Sequence, residues 1–195
     1  MRERKSSIFS LLTIFAVVAL FFIGSTPVGP LHKETKELMS LVRDAAKRVE
    51  EKGDSAFAEF RQKGSRWLHD DAYIFVIDRN GFVYLNPPRP ELEGKNHIGL
   101  RDLAGKPFIK SFINTATGYA SKQEGWSHYV WYKPGEENAM WKTSYVKLVK
   151  APSGKEYIVG SGLYNMKMEK AFVVDVVDEA AALIKKDGRK AFPQL

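Results

Sequence analysis

Lys142 stands between Trp141 and the pair Ser144-Tyr145, at the far end of a stretch that begins Gly125-Trp126-Ser127-His128-Tyr129-Val130-Trp131-Tyr132. Three of the four tryptophans and two of the eight tyrosines of the chain fall within residues 125–142. An ammonium among aromatic rings and hydroxyls is the chemistry of anion recognition, because a lysine beside core residues is costly to bury without a counter-charge. Asp and Glu are absent from 125–135, so an internal counter-charge is not evident. If 126–133 is a strand, alternation puts Tyr129 and Trp131 on one face with Ser127 and Lys133. Trp126, His128, Val130 and Tyr132 then share the other. Further on, Gly160, Gly162 and Tyr164 share a face, and two glycines beside a tyrosine leave volume next to a hydroxyl. Lys142 and Tyr145 are three apart. A flat strand cannot aim both the same way, so either a bulge intervenes or only one of them lines a site. The residues alone leave a second reading open: a well-packed aromatic sheet, glycines in a tight strand crossing, and a lysine that snorkels from an edge strand.

Other chemistries find less support. The four histidines, His32, His69, His97 and His128, form no i,i+2 or i,i+4 pair, so no zincin-like metal site is expected. There is no cysteine, which excludes disulfides, thiolate metal sites and a thiol nucleophile. Gly160-Ser161-Gly162 is not a nucleophile elbow, and the neighbours Asp70 and Asp71 point apart and suit a cap better than an acid pair. The expectation is a protein without catalytic residues, cofactor or metal.

The elements that must position these residues follow from pattern. At 195 residues with 44% hydrophobic content, one domain plus a leader is expected. The net charge of +7 is dispersed, with no run longer than Lys185-Lys186, so nucleic acid is not an expected partner. Residues 1–26 carry Arg2, Arg4 and Lys5 before an apolar run over 8–23. This is either a cleaved signal peptide or an N-terminal membrane anchor, and both place the remainder outside the cytoplasm, periplasmic or tethered to the inner membrane. From 34 to about 52, Leu38, Leu41, Val42, Ala45, Ala46 and Val49 draw one helical stripe, and Gly53 is its stop. A shorter helical piece covers 55–62. Residues 73–77 read as a buried strand, Asp78-Arg79-Asn80-Gly81 as a hairpin turn and 82–86 as the return. A long loop over 87–106 precedes a short amphipathic helix at 106–117. Strands at 126–132, 141–148 and 157–163 are joined by short turns and form an antiparallel meander. The class is α+β, with both sheet faces covered, one by the long helix and the other by 87–118.

The tail, 166–195, repeats the opening helix. Val173, Val176, Val177, Ala180, Ala181 and Ile184 reproduce the first stripe at a constant offset of 135 residues. The match runs on from Gly53 to Gly188, Ala56 to Ala191 and Phe57 to Phe192. A duplicated opening unit is expected, its stripe packed on this domain or on a partner chain.

Taken in order, Asp78-x-Asn80-Gly81, Asn86-Pro87, Leu92-Glu93-Gly94-Lys95-Asn96, Asp102-Leu103-x-Gly105-Lys106, Gly125-Trp126-x-x-Tyr129-x-Trp131, Lys142-x-x-Tyr145-Val146 and Gly160-x-Gly162-x-Tyr164 resemble the single Cache type 2 sensor family over about residues 34–170. The resemblance implies a PAS-like fold, a long N-terminal helix on a five-stranded antiparallel sheet followed by a C-terminal helix, with the sensor domain proper at 34–165. It implies extracytoplasmic sensing of short organic acids such as acetate, pyruvate or propionate, feeding signal transduction or chemotaxis through a membrane-bound signalling partner. Asn86 departs from the family, which commonly has His before this Pro, and an amide cannot switch charge with pH. The expected binding set is then Lys142 for charge, Tyr129, Tyr145 and Asn86 for hydrogen bonds, and Trp126, Trp131, Tyr73 and Tyr164 as walls. The alternative expectation is an interaction module without a small ligand, a homodimer through the long helices.

Overall fold

The computed structural model describes residues 30–118 and 123–194. The leader expected at 1–26 lies outside the described residues. Helix α1, Lys33–Lys52, buries the anticipated stripe of Leu38, Val42, Ala45, Ala46 and Val49. Gly53 ends it at φ 59°, where its N–H reaches back to Val49 O. Such a positive φ is the region glycine enters without a Cβ clash. A 3-10 turn, Gly53–Ala56, and the single helical turn α2, Phe57–Phe60, follow.

A small hairpin comes next, β1 at Leu68–His69 and β2 at Ala72–Tyr73. Asp70 holds its turn at φ 48°, a conformation Asp tolerates better than most residues. The strand expected over 73–77 is interrupted at Ile74, whose N–H donates to Trp67 O. Strand β3 is therefore Phe75–Ile77 and pairs with β4, Val83–Leu85. In the turn between them Asp78 Oδ1 accepts from the N–H groups of Asn80 and Phe82, at 2.8 and 2.9 Å. Helix α3, Phe108–Thr117, leads to the long strands β5, Glu124–Tyr132, β6, Ala139–Lys150, and β7, Glu156–Tyr164. Helix α4, Lys170–Asp187, and a 3-10 stretch, Gly188–Gln194, close the chain.

The five-stranded antiparallel sheet has the order β4-β3-β7-β6-β5. The last three strands are the expected meander. The last of them, β7, also pairs with β3, which brings the first hairpin against the meander. Each face carries a core. On one, Ala45, Ala46 and Val49 of α1 meet Ile74, Val76, Val149, Tyr157 and Val159. Along the same face Leu38 and Val42 meet Trp126, Tyr145 and Phe172 of α4. On the other, Phe108, Ile109, Phe112 and Ala116 of α3 meet Phe75, Ile77, Tyr129, Val146 and Ile158. Burying one such side chain contributes about 1.5–3 kcal/mol, which is why strands apolar on both faces need both layers.

The outer edge of β5 is shielded by side chains that take up its main-chain groups. Trp126 N–H donates to Asp175 at 2.8 Å, Val130 N–H donates to Asp102 at 2.8 Å, and Lys106 Nζ donates to His128 O at 2.9 Å. At the other edge the loop after β4 exchanges bonds with Val83, which donates to Lys95 O and accepts from Gly94 N–H. Neither edge is left as a template for another strand.

Candidate functional site

Antiparallel register aligns Tyr129 of β5, Lys142 of β6 and Tyr164 of β7 in one row across three adjacent strands. Residues opposite each other in a ladder share a face, so all three point to the α3 side. Trp131 stands two residues from Tyr129 on that face, and Tyr73 joins it from β2. Lys142 Nζ lies 3.8 Å from the Tyr73 ring centroid and 4.7 Å from that of Tyr164. The lysine is 0% exposed, and its Nζ has no hydrogen-bond partner. Burial pushes its pKa well below the usual lysine value, with only partial compensation from the charge of Asp71, itself 3.5 Å from Lys133. Two π faces hold the ammonium where a carboxylate would be expected.

Around it the hydroxyls are tied to the frame. Tyr129 OH and Ser144 Oγ are 3.0 Å apart, and Tyr164 OH donates to Tyr132 O at 2.8 Å. Burial pushes the Tyr73 phenol up to about 12 and the Tyr129 phenol well above its ordinary value. These phenols stay protonated and offer O–H, not charge.

Next to this row lies a small cavity between sheet and α3, lined by Tyr73, Phe75, Asn86, His97, Phe108, Phe112, Tyr129 and Trp131 among others. Its free volume is about 20 Å³, room for one water molecule. Asn86 Oδ1 and His97 Nε2 are both buried without a partner, although their residues line this space. Asn86 is held by its own N–H, which donates to Glu93 at 2.7 Å, and His97 by its N–H on Gly81 O at 2.8 Å. A buried polar atom without a partner costs about 1–3 kcal/mol, so two that line one cavity, with Lys142 Nζ close by, mark it as a candidate site.

The expected set divides. Lys142, Tyr129, Trp131, Tyr164, Tyr73 and Asn86 come together on the α3 side. Trp126 and Tyr145 do not. The β5–β6 ladder runs from Glu124 to Tyr132 without a bulge, so these two face the opposite side as a directly opposed pair. There Trp126 packs on Tyr145 and on Phe172 of α4, at 4.8 and 4.6 Å between centroids. Tyr145 OH takes a bond from Arg43 at 3.2 Å. They belong to the α1 and α4 interface and not to the wall around Lys142. The glycines of β7 need a similar correction. A Cβ at Gly160 would lie 2.3 Å from the Phe75 ring, and one at Gly162 would lie 2.2 Å from Ser144 Oγ and 2.9 Å from Lys142 Cε. The volume they free is filled by Phe75, by Ser144 and by the lysine stem. His97, Phe108 and Phe112 were not anticipated as lining residues. The loop histidine had a faint signal, its place between Gly94 and Gly99. The two phenylalanines look like any inward helix face.

Among the described residues no helix is long and apolar enough to cross a membrane. Residues 31–186 match the family profile of the Cache domain. The methyl-accepting chemotaxis protein McpP of Pseudomonas putida is 32% identical over 113 residues, which are 58% of this chain and 20% of that receptor. The chain thus aligns with about a fifth of the length of this curated relative. A solved methyl-accepting chemotaxis protein from Vibrio parahaemolyticus superposes with a TM-score of 0.53 at 21% identity, over 67% of this chain and 88% of that one. A solved periplasmic sensor domain of a chemotaxis protein gives 0.52 at 25% identity, over 82% of this chain and all of that one. With the PAS-like sheet, the two covering layers and the profile match over most of its length, this chain belongs to the Cache family of sensor domains, type 2.

Proposed function

We propose that this domain senses a short organic anion, a carboxylate, outside the cytoplasm and feeds chemotaxis or another signalling path through a membrane-bound partner. The observation that carries the reading is Lys142: a wholly buried ammonium with no hydrogen-bond partner, against tyrosine faces and beside a cavity with two further partnerless polar atoms. A carboxylate there supplies the missing counter-charge to Lys142. Tyr129 and Tyr73 offer O–H groups, Tyr164 keeps its ring against the ammonium, Asn86 and His97 orient the remainder of the ligand, and Trp131 closes the wall. Similarity to chemotaxis receptors supports the setting. The cavity as it stands has room for one water, so a C2–C4 acid enters only as Phe108 of α3 or the loop carrying His97 moves outward.

The test is a thermal-shift panel of C2–C4 carboxylates on the chain freed of residues 1–26. A ligand at 100 times its dissociation constant adds about 2.7 kcal/mol. Lys142→Ala abolishes that shift. A panel without a shift, or a shift that survives Lys142→Ala, ends the reading. The small cavity also favours a second reading, an interaction module that pairs through its long helices. Melting that depends on protein concentration and ignores every acid would select it.

A further inference from the structure

Lys142 is an amine kept from water. The side chain is 0% exposed, and among the described residues nothing forms a hydrogen bond to its Nζ. The ring faces of Tyr73 and Tyr164, 3.8 and 4.7 Å from Nζ, offset only part of the cost of a buried charge. Asp71, whose charge reaches it, pairs instead with Lys133 at 3.5 Å. Burial without a close counter-charge favours the uncharged amine over the ammonium. In that form Nζ keeps its lone pair, and desolvation in an apolar pocket is one of the ways a lysine becomes a nucleophile.

Size and polarity limit what this amine can meet. The adjoining cavity, lined by Tyr73 and Tyr129, has about 20 Å³ of free volume, and Phe75, Phe108, Ile109 and Phe112 make most of its wall apolar. A C2–C4 acid enters only after a rearrangement. A linear molecule of three heavy atoms without charge needs little more room than water and partitions readily into apolar surroundings. Hydroxyl donors stand where a product anion needs them. Tyr129 lies directly opposite Lys142 in the β5–β6 ladder, and Ser144 follows two residues on along the same face. Their side-chain oxygens are 3.0 Å apart. Ser144 Oγ and Lys142 Cε both crowd the point where a Cβ of residue 162 would stand, so the hydroxyl pair and the amine end share one space.

We propose that Lys142 takes up carbon dioxide as a carbamate and that the Tyr129–Ser144 hydroxyls hold the product. The Nζ lone pair forms a bond to the carbon, one C=O π pair moves onto oxygen, and a proton leaves Nζ for solvent. Amine and carbon dioxide thus become a carbamate anion and one proton, with no oxidant or reductant. The carbamate oxygens accept from the hydroxyls, as a charged acceptor prefers. Carbon dioxide and a carboxylate exclude each other at this residue, since the first needs the amine and the second the ammonium. The inference rests on the burial of Lys142 and not on a carboxylate being bound.

The test uses the 195-residue parent, so no variant has to fold. The protein is equilibrated with isotope-labelled bicarbonate and carbon dioxide near neutral pH and treated with triethyloxonium ion, which ethylates a carbamate and fixes it. It is then digested for mass spectrometry. At about pH 7.5 roughly one ordinary lysine amine in a thousand is uncharged, so exposed lysines such as Lys33 and Lys47 stay almost unmarked. The expected result is a labelled ethoxycarbonyl group on the peptide holding Lys142, at least about tenfold above any other lysine peptide. In urea that preference disappears, because the amine returns to water. Tyr129→Phe lowers the yield of the folded chain about tenfold, the effect of losing one hydrogen bond to a charged group. No label at Lys142 overturns the inference, even where carboxylates still shift the melt. A preference that persists in urea overturns it as well, since the fold would then not be its cause. An unchanged yield in Tyr129→Phe overturns the role given to the hydroxyl pair.

Discussion

Lys142 sets the terms at the scale of single residues. A buried ammonium without an anion opposes folding, and its two tyrosine faces offset only part of that cost. Lys142→Met keeps the stem volume and removes the charge. It raises unfolding free energy in the absence of ligand by about 1 kcal/mol or more, read from urea denaturation, as replacing poorly compensated buried charge does elsewhere. A loss of stability would show that the ammonium is held better than its surroundings suggest. The same group gives a pH signature. The unfolded chain keeps the Lys142 proton up to about pH 10.5, and burial makes the folded domain release it lower. In the window between, unfolding takes up a proton, so stability rises with pH and reaches its full value above 10.5. Lys142→Met flattens that rise. Under the proposed function carboxylate affinity would run the other way, because a bound state that needs the ammonium weakens as pH climbs through the folded value.

Elements meet at the edge of β5, and there one aspartate serves two of them. Asp102 accepts from Val130 N–H of the strand and from Lys106 N–H ahead of α3, both at 2.8 Å. Asp102→Ala leaves two main-chain donors without their acceptor and lowers stability by about 1–3 kcal/mol in chemical denaturation. It also bares a strand edge, so light scattering on heating should rise earlier than in the parent. His128 sits on this strand with Nδ1 at 3.0 Å from Thr143 Oγ1 and its ring against Phe172. Burial, helped by the charge of Lys106, lowers its pKa from 6.5 to about 4. The neutral form is the one the fold accepts. Its contribution is complete above pH 6.5 and is lost as pH falls toward 4, at most about 3 kcal/mol. His128→Gln should flatten the acid side of the stability curve in that window. An unchanged slope would place the acid sensitivity elsewhere.

For the molecule as a whole, one carboxylate ties the beginning of the domain to its end. Glu169 precedes α4, and its main-chain oxygen accepts from Phe172 N–H. Its side chain accepts from His32 N–H at 3.1 Å and from the buried Thr35 hydroxyl, at the start of α1. Helices α1 and α4 are thus fastened at their N-termini. Glu169→Ala removes the acceptor of His32 N–H, just ahead of α1, and of the buried Thr35 hydroxyl, a loss of about 1–3 kcal/mol. Amide exchange should quicken together at 33–36 and at 170–174. Faster exchange at one site alone would mean that the helices are fastened independently.

Much of this was legible along the chain. The α1 stripe, the Gly53 stop, the Asn80-Gly81 turn and the three meander strands depend on local periodicity and turn stereochemistry, which a linear pattern records. The stripe at 173–184 is a pattern of the sequence alone, and in the structure Val173, Val176, Val177 and Ile184 are exposed. Three things were decided only by tertiary structure. Register without a bulge sent Trp126 and Tyr145 to the face opposite Lys142, because strand pairing and not proximity in sequence sets which side chains meet. Phe75, Ser144 and the lysine stem took the space beside Gly160 and Gly162, since free volume depends on what packs from other strands. His97 reached the cavity from a loop whose path is set by main-chain bonds to Gly81 and Val83, and no periodicity encodes such a path. Spacing by itself named the residue types of the candidate site, and packing across the sheet selected which of them stand together.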